Sequence, residues 1–215
     1  MKIGILGSGI VGRVLASAFL KEGNEVMLGT GNTSKPEVQE WLQKNSEGHI
    51  GLFLEAASFA DVIVLAISGA AAEEVIGISG IENFKNKTVI DATNPIAATP
   101  PVNGVLSFFT TLSDSLMERI QNKIPDAHVV KAFNSVGNHL MYKPDFNGVK
   151  PTMFICGNSD EAKKTVTQIL NTFGWETEDM GKVESARAIE PLCILWCIPA
   201  FTQNHSMHAF KLLKK

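Results

Sequence analysis

Cysteine is scarce: Cys156, Cys193 and Cys197 are the only three among 215 residues. So few thiols build no disulfide framework, and an odd count leaves at least one of them free, which points to a reducing compartment. Cys193 and Cys197 share a helical face, but no histidine stands nearby at ligand spacing and no metal is expected. Buried apolar packing is the usual role of free cysteine. Clustered positive charge is missing too. Nineteen Lys and Arg against 22 Asp and Glu give a net charge of −3, with no basic run before the terminal "KLLKK". Neither nucleic acid nor an anionic membrane is an expected partner. Long apolar runs are absent: glycines cut "IGIL" short, and no later stretch reaches about 18 uninterrupted apolar residues. Neither a signal peptide nor a span is expected, and the address read is cytoplasmic. There is no GxSxG elbow, no Walker lysine and no HExxH pair, so hydrolytic and acyl-transfer chemistry has no foothold.

What is present is an apolar fraction of 45% and a charged fraction of 19%, enough for a sizeable core in one compact fold. Strand and helix signals alternate, the pattern of parallel βαβ units. "KIGILG", "NEVMLGT", "HIGLF", "ADVIVLAIS", "KTVIDATN" and "AHVVKAFN" read as six parallel strands within residues 1–134. The near-continuous apolar runs among them suit strands covered on both faces. "VGRVLASAFLKEG", "KPEVQEWLQKN" and "TLSDSLMERIQNKI" read as helices. "NPIAATPPVNGVLS" is a proline-rich loop, too long for idle linkage. Past residue 150 come strand "PTMFICG", helix "SDEAKKTVTQILNTFG", strand "WETEDMG" and a single helix "ESARAIEPLCILWCI". The predicted class is α/β: a Rossmann-type, doubly wound, mainly parallel sheet over 1–150, with a small C-terminal α/β extension over 151–215.

Gly7, Gly9 and Gly12 in "GSGIVG" lie directly between a strand and a helix. The first permits a tight turn, the second lets backbone approach a pyrophosphate, and the third lets helix and strand pack closely, so Gly7, Ser8, Gly9, Ile10, Val11 and Gly12 are predicted to bind a dinucleotide. An acid at the end of the second strand would bind a ribose 2′-OH. None lies between Glu25 and Glu37. Thr30, Asn32, Thr33, Ser34 and Lys35 instead offer donors and a positive charge for a 2′-phosphate, which favours NADP. Ile67, Ser68, Thr93, Asn94, Pro95, Ala132, Phe133 and Asn134 end strands at the carboxyl edge, where open α/β sheets bind ligands. Asn94 and Asn134 read either as contacts to ribose, carboxamide or substrate, or as caps. Asn134 and His139 are the catalytic candidates, with a solvated surface histidine the plainer reading of His139. Lys131 reads as a buried amine or as a strand-edge residue whose head reaches outward.

Together "GILGSGIVG", "NEVMLGT", "ADVIVLAIS", "IDATNP", "VVKAFNSV", "ICGNSDEAK" and "SARAIEPL" resemble the NADP oxidoreductases that use a deazaflavin, coenzyme F420, and the related reductase domain of six-transmembrane metalloreductases. The resemblance implies NADP(H) across the sheet edge and a flat tricyclic acceptor, deazaflavin or flavin, near the nicotinamide. It also implies a pyrophosphate cradle at Ser8 to Val11, a 2′-phosphate site at Thr30 and Lys35, and an acceptor site shaped by Ser185 to Pro191. One position departs from the family pattern: Gly31 stands where members commonly carry an arginine, and lysine does not reproduce that bidentate grip. A fainter likeness to pyrroline-5-carboxylate reductases meets a shortage of chain for their helical dimerisation domain.

The first functional reading is an NADP-dependent oxidoreductase passing hydride to or from a flavin-like or deazaflavin partner. A non-enzymatic NADP(H) sensor and an NADPH-dependent reductase of a small carbonyl or imine are the alternatives. A homodimer formed through "EPLCILWCIPAF" is expected.

Overall fold

The structure, a computed structural model, describes residues 1–215. Its strands are β1 (Lys2–Leu6), β2 (Glu25–Thr30), β3 (His49–Leu52), β4 (Val62–Leu65), β5 (Thr88–Asp91), β6 (His128–Lys131), β7 (Thr152–Gly157) and β8 (Glu176–Asp179). They form one sheet in the order β3-β2-β1-β4-β5-β6-β7-β8. The first six pair in parallel, as predicted. β7 runs antiparallel to β6, and β8 runs parallel to β7.

The helices are α1 (Ile10–Lys21), α2 (Pro36–Lys44), α3 (Phe53–Phe59), α4 (Ala72–Ile78), α5 (Leu116–Lys123), α6 (Asp160–Thr172), α7 (Ala186–Ile189) and α8 (Leu192–Gln203). Leu15 and Phe19 of α1, Trp41 of α2 and Val166 of α6 join one core with Ile3, Ile5 and Val64. Ala56 of α3, Val75 and Ile76 of α4 and Ile120 of α5 join the other with Leu6, Ile63 and Leu65. Alternation along β4 thus sends neighbouring residues into opposite cores, which is why an unbroken apolar run is stable there. Because β1 and β4 are neighbours while their crossovers leave in opposite directions, a crevice opens above their carboxyl ends.

Two local readings need correction, one helix is added to those predicted, and one open alternative is decided. A short helix, α4, fills the stretch after β4, for which no element was predicted. Helix α5 begins only at Leu116, where the Ser115 hydroxyl accepts from the Glu118 amide and the Glu118 carboxylate accepts from Ser115. The residues before it form an arm instead, closed by Ala97 N–H to Ser107 O at 2.8 Å and Phe109 N–H to Pro95 O at 2.9 Å. The expected single helix "ESARAIEPLCILWCI" is broken into a 3-10 turn at Val183–Ser185, then α7, then α8 after Pro191. Proline lacks the N–H that would carry α7 onward but suits the entry of a new helix. Of the two readings of Lys131, the buried amine is the one observed: the residue is fully buried.

No helix is long and apolar enough to cross a membrane. The three cysteines are free thiols.

Candidate dinucleotide and acceptor site

The glycine turn divides its labour. Gly7 has φ of +129°, and a Cβ there would strike the Ala66 carbonyl; a Cβ on Gly12 would strike the Gly7 carbonyl. Both are required by the protein's own packing. A Cβ on Gly9 would meet nothing within 4 Å. Gly9 is also the N-cap of α1 and no side chain caps that helix. The amides of Ile10, Val11 and Gly12 therefore lack intrahelical acceptors and lie at a positive helix end beside open space. That cradle fits a pyrophosphate.

At the end of β2, Thr30 is buried. Its Oγ1 accepts from Ser8 Oγ at 2.9 Å and from the Asn32 amide at 3.3 Å. The hydroxyl thus braces the two loops together and faces inward. Asn32 Oδ1 accepts from the Ser34 amide at 2.9 Å, which shapes the turn. Lys35 is exposed, has no ion-pair partner and precedes Pro36 at the first position of α2. Around Gly31 there is room: a Cβ would meet only Phe53, at 3.6 Å.

Ile67 and Ser68 follow β4, and the next residue, Gly69, packs so closely on the Asn94 carbonyl that no side chain would fit. Asn94 Nδ2 donates to Asn134 O at 2.7 Å. Asn134 Nδ2 donates to Asn94 Oδ1 at 3.3 Å and to Ile189 O of α7 at 3.0 Å. The two asparagines therefore bridge the ends of β5 and β6 and bind α7 to them; neither caps a helix. Pro95, Ala132 and Phe133 are buried behind this bridge. Phe133 has φ of +62°, an unusual conformation for a bulky residue and one that stores strain beside the site. His139 lies away from this asparagine bridge. It lines a cavity of about 470 Å³ with Ile10, Arg13, Trp41 and Tyr142, and its Nε2 lies 3.0 Å from Ser206 O.

Sequence reasoning missed what lies beneath the bridge. Lys131 Nζ meets Asp91 Oδ2 at 2.7 Å, Glu190 Oε1 at 2.9 Å and Thr93 O at 3.0 Å, all of them buried. Burial alone would depress this ammonium, but the Asp91 and Glu190 carboxylates outweigh it and hold Lys131 above the usual lysine range. Asp91 Oδ1 accepts from the Thr93 amide and hydroxyl at 2.9 and 2.6 Å. Glu190 accepts from the Met117 and Leu116 amides at 3.0 and 3.1 Å, capping α5 from a distance. The glutamate of "SARAIEPL" is thus a structural tie joining β5, β6, α5 and the α7–α8 junction. A lysine within an apolar strand and a glutamate before a proline were the only signals. Nearby, burial pushes the Cys156 thiol up to about 12, so it is no nucleophile. Beside Glu190, a cavity of about 220 Å³ is lined by Phe108, Leu112, Asp114, Arg187, Pro191 and Ile194.

A doubly wound sheet with an uncapped, glycine-bounded helix end over its switch point defines the class: a dinucleotide-binding oxidoreductase fold. The family described as "NADP oxidoreductase coenzyme F420-dependent" matches residues 2–95. The chain is 30% identical over 207 residues to the F420-dependent NADP reductase of Methanocaldococcus jannaschii, covering 89% of each. It is 29% identical over 208 residues to the rat metalloreductase STEAP3, covering 92% of this chain and spanning only 38% of that protein. A crystal structure from Arthrobacter sp. FB24, provisionally assigned as an F420-dependent NADP reductase, superposes with a TM-score of 0.92 at 30% identity over the full length of both chains. The chain belongs to the coenzyme F420-dependent NADP oxidoreductase family and is an NADP-dependent oxidoreductase.

Proposed function

We propose that the protein transfers a hydride between NADP(H) and a flavin-like or deazaflavin acceptor. In this reading the backbone of Gly7 to Gly12 holds the pyrophosphate. Asn32, Ser34 and Lys35 face the 2′-phosphate, with Thr30 bracing their loop. Ile67, Ser68, Asn94, Pro95 and Ala132 to Asn134 wall the nicotinamide end, while Ser185 to Pro191, within the 151–215 extension, shapes the acceptor side. NADP(H), when bound, supplies or receives the hydride.

The observation that carries this reading is the chemistry of the crevice end. Ser68, Thr93, Asn94 and Asn134 titrate nowhere near neutral pH, Lys131 is locked between carboxylates, and His139 is tied to the tail. Such a wall suits hydride passage between two rings held in place, which needs orientation more than a proton donor. Carbonyl reduction gains from a positioned acid that this wall does not offer. The name of the Methanocaldococcus relative supports a deazaflavin in particular.

The test is NADPH oxidation, followed by near-ultraviolet absorbance, with a deazaflavin, free flavins, and a panel of carbonyl and imine compounds offered separately. Turnover confined to the tricyclic acceptors is the expected result; turnover confined to carbonyls or imines overturns the reading.

The same reading includes a homodimer built on α8. Only Cys193 and Trp196 of its 12 residues are buried, while Leu195 and Phe201 are 56% and 54% exposed. The arm tip adds Val102 and Val105 beside it. A bare apolar helix next to the acceptor wall is the surface that a second copy would cover.

A further inference from the structure

The protein has three arginines. Arg119 pairs with Asp114, and Arg187 pairs with Glu118 at 2.5 Å. Arg13 has no carboxylate partner. Its one hydrogen bond runs from Nη1 to the Ser8 carbonyl at 2.6 Å, leaving most of its five donors unused. That bond pins the guanidinium to the middle of the glycine turn. From there Ser8 Oγ reaches Thr30 Oγ1 at 2.9 Å, so Arg13 is held two hydrogen bonds from the residue that precedes Gly31. Its backbone is fixed independently, because Trp41 Nε1 donates to Arg13 O at 3.2 Å and to Ser17 Oγ at 2.9 Å. The side chain opens on the cavity between α1 and α2, where Glu40 is already bound to Lys44 at 2.6 Å and Glu37 is the other acidic residue.

The half-buried guanidinium held at this junction has no bonded anion; Glu40 in the same cavity feels its charge but is bonded to Lys44. Gly31 leaves space at the same corner. We infer that Arg13, reaching up from α1, grips the 2′-phosphate of NADP(H) in place of the arginine that position 31 lacks, and so sets the preference for NADP over NAD. Lys35 supplies a point charge from the opposite loop, while the planar fork of Arg13 supplies the directional bonds. The inference rests on NADP(H) being the hydride carrier proposed above.

The experiment measures dissociation constants of NADPH and NADH, and of 2′,5′-ADP and ADP, for the full chain and its Arg13→Ala and Arg13→Lys variants. Loss of a charge-assisted contact weakens NADPH and 2′,5′-ADP about tenfold or more, with NADH and ADP unchanged within about twofold. Arg13→Lys falls between, and adding Gly31→Arg to Arg13→Ala restores the discrimination. Equal weakening of phosphorylated and unphosphorylated ligands makes Arg13 a brace for the turn and overturns the inference, as does unchanged affinity for all four. If Arg13→Ala fails to fold, Arg13→Lys alone decides: an undiminished preference for 2′,5′-ADP overturns the inference. Failure of the parent chain to bind either dinucleotide would instead refute the underlying cofactor reading.

Discussion

A methyl group added at position 9 would enter open space, and one added at position 12 would enter a carbonyl oxygen. Alanine substitutions at these two positions, three residues apart, therefore test different things. Gly12→Ala is expected to lose upward of about 2 kcal/mol in denaturant unfolding, because helix and turn must part to admit it. Gly9→Ala is expected to unfold like the parent yet bind NADPH at least about tenfold more weakly, its Cβ lying in the path of the pyrophosphate. Thermal melts and nucleotide titrations on the same samples distinguish these outcomes, and a Gly9→Ala variant with parental affinity would remove the phosphate from this turn. Residue types at this scale were legible from the chain alone: the three glycines, Lys35 and the strand-end asparagines. Partnership was not. Thr30 presents a donor to solvent only on paper, since Ser8, Asn32 and burial claim its hydroxyl, and Arg13 looks like any exposed helical arginine until its lack of a carboxylate is seen.

Between elements, the Asp91–Lys131–Glu190 tie is the connection with most at stake. Removing one partner from a buried charged set leaves the others uncompensated, so Lys131→Met is expected to cost about 3–5 kcal/mol. The ammonium is held above its ordinary range in the folded protein, so its contribution is complete below the unfolded lysine value, about pH 10.4, and is lost as pH rises through the higher folded value. The stability gap between parent and variant is thus expected to stay level from neutrality to about pH 10 and to narrow above it; a gap that closes already near pH 8 would contradict the assignment. The six parallel strands were readable because each is a short apolar run bounded by turn residues. The reversed direction of β7 was not, since a strand's residues carry no mark of the neighbour it will meet. The split of the last helix was written in Pro191, but the apolar period on either side masked it. Helix α4 went unread for the opposite reason: seven residues ending near glycines make too short a window for any period to stand out.

For the molecule as a whole, α8 and the arm tip against it leave apolar side chains exposed on one surface. Light scattering is expected to give twice the chain mass for the parent, and the single chain mass for a Leu195→Glu, Phe201→Glu pair; a parental monomer would end the dimer reading. That apolar surface was visible in the sequence as "LCILWCIPAF", though not its junction with the arm, which depends on a glycine at position 104 lying against Thr202. Packing holds Gly7 and Gly12 in place in any chain that keeps this fold, whereas no protein atom crowds position 9, so on the proposed reading the pyrophosphate alone constrains it. A lineage that abandoned its dinucleotide would keep the outer two glycines and let the middle one drift, so position 9 alone records whether selection still maintains the cofactor.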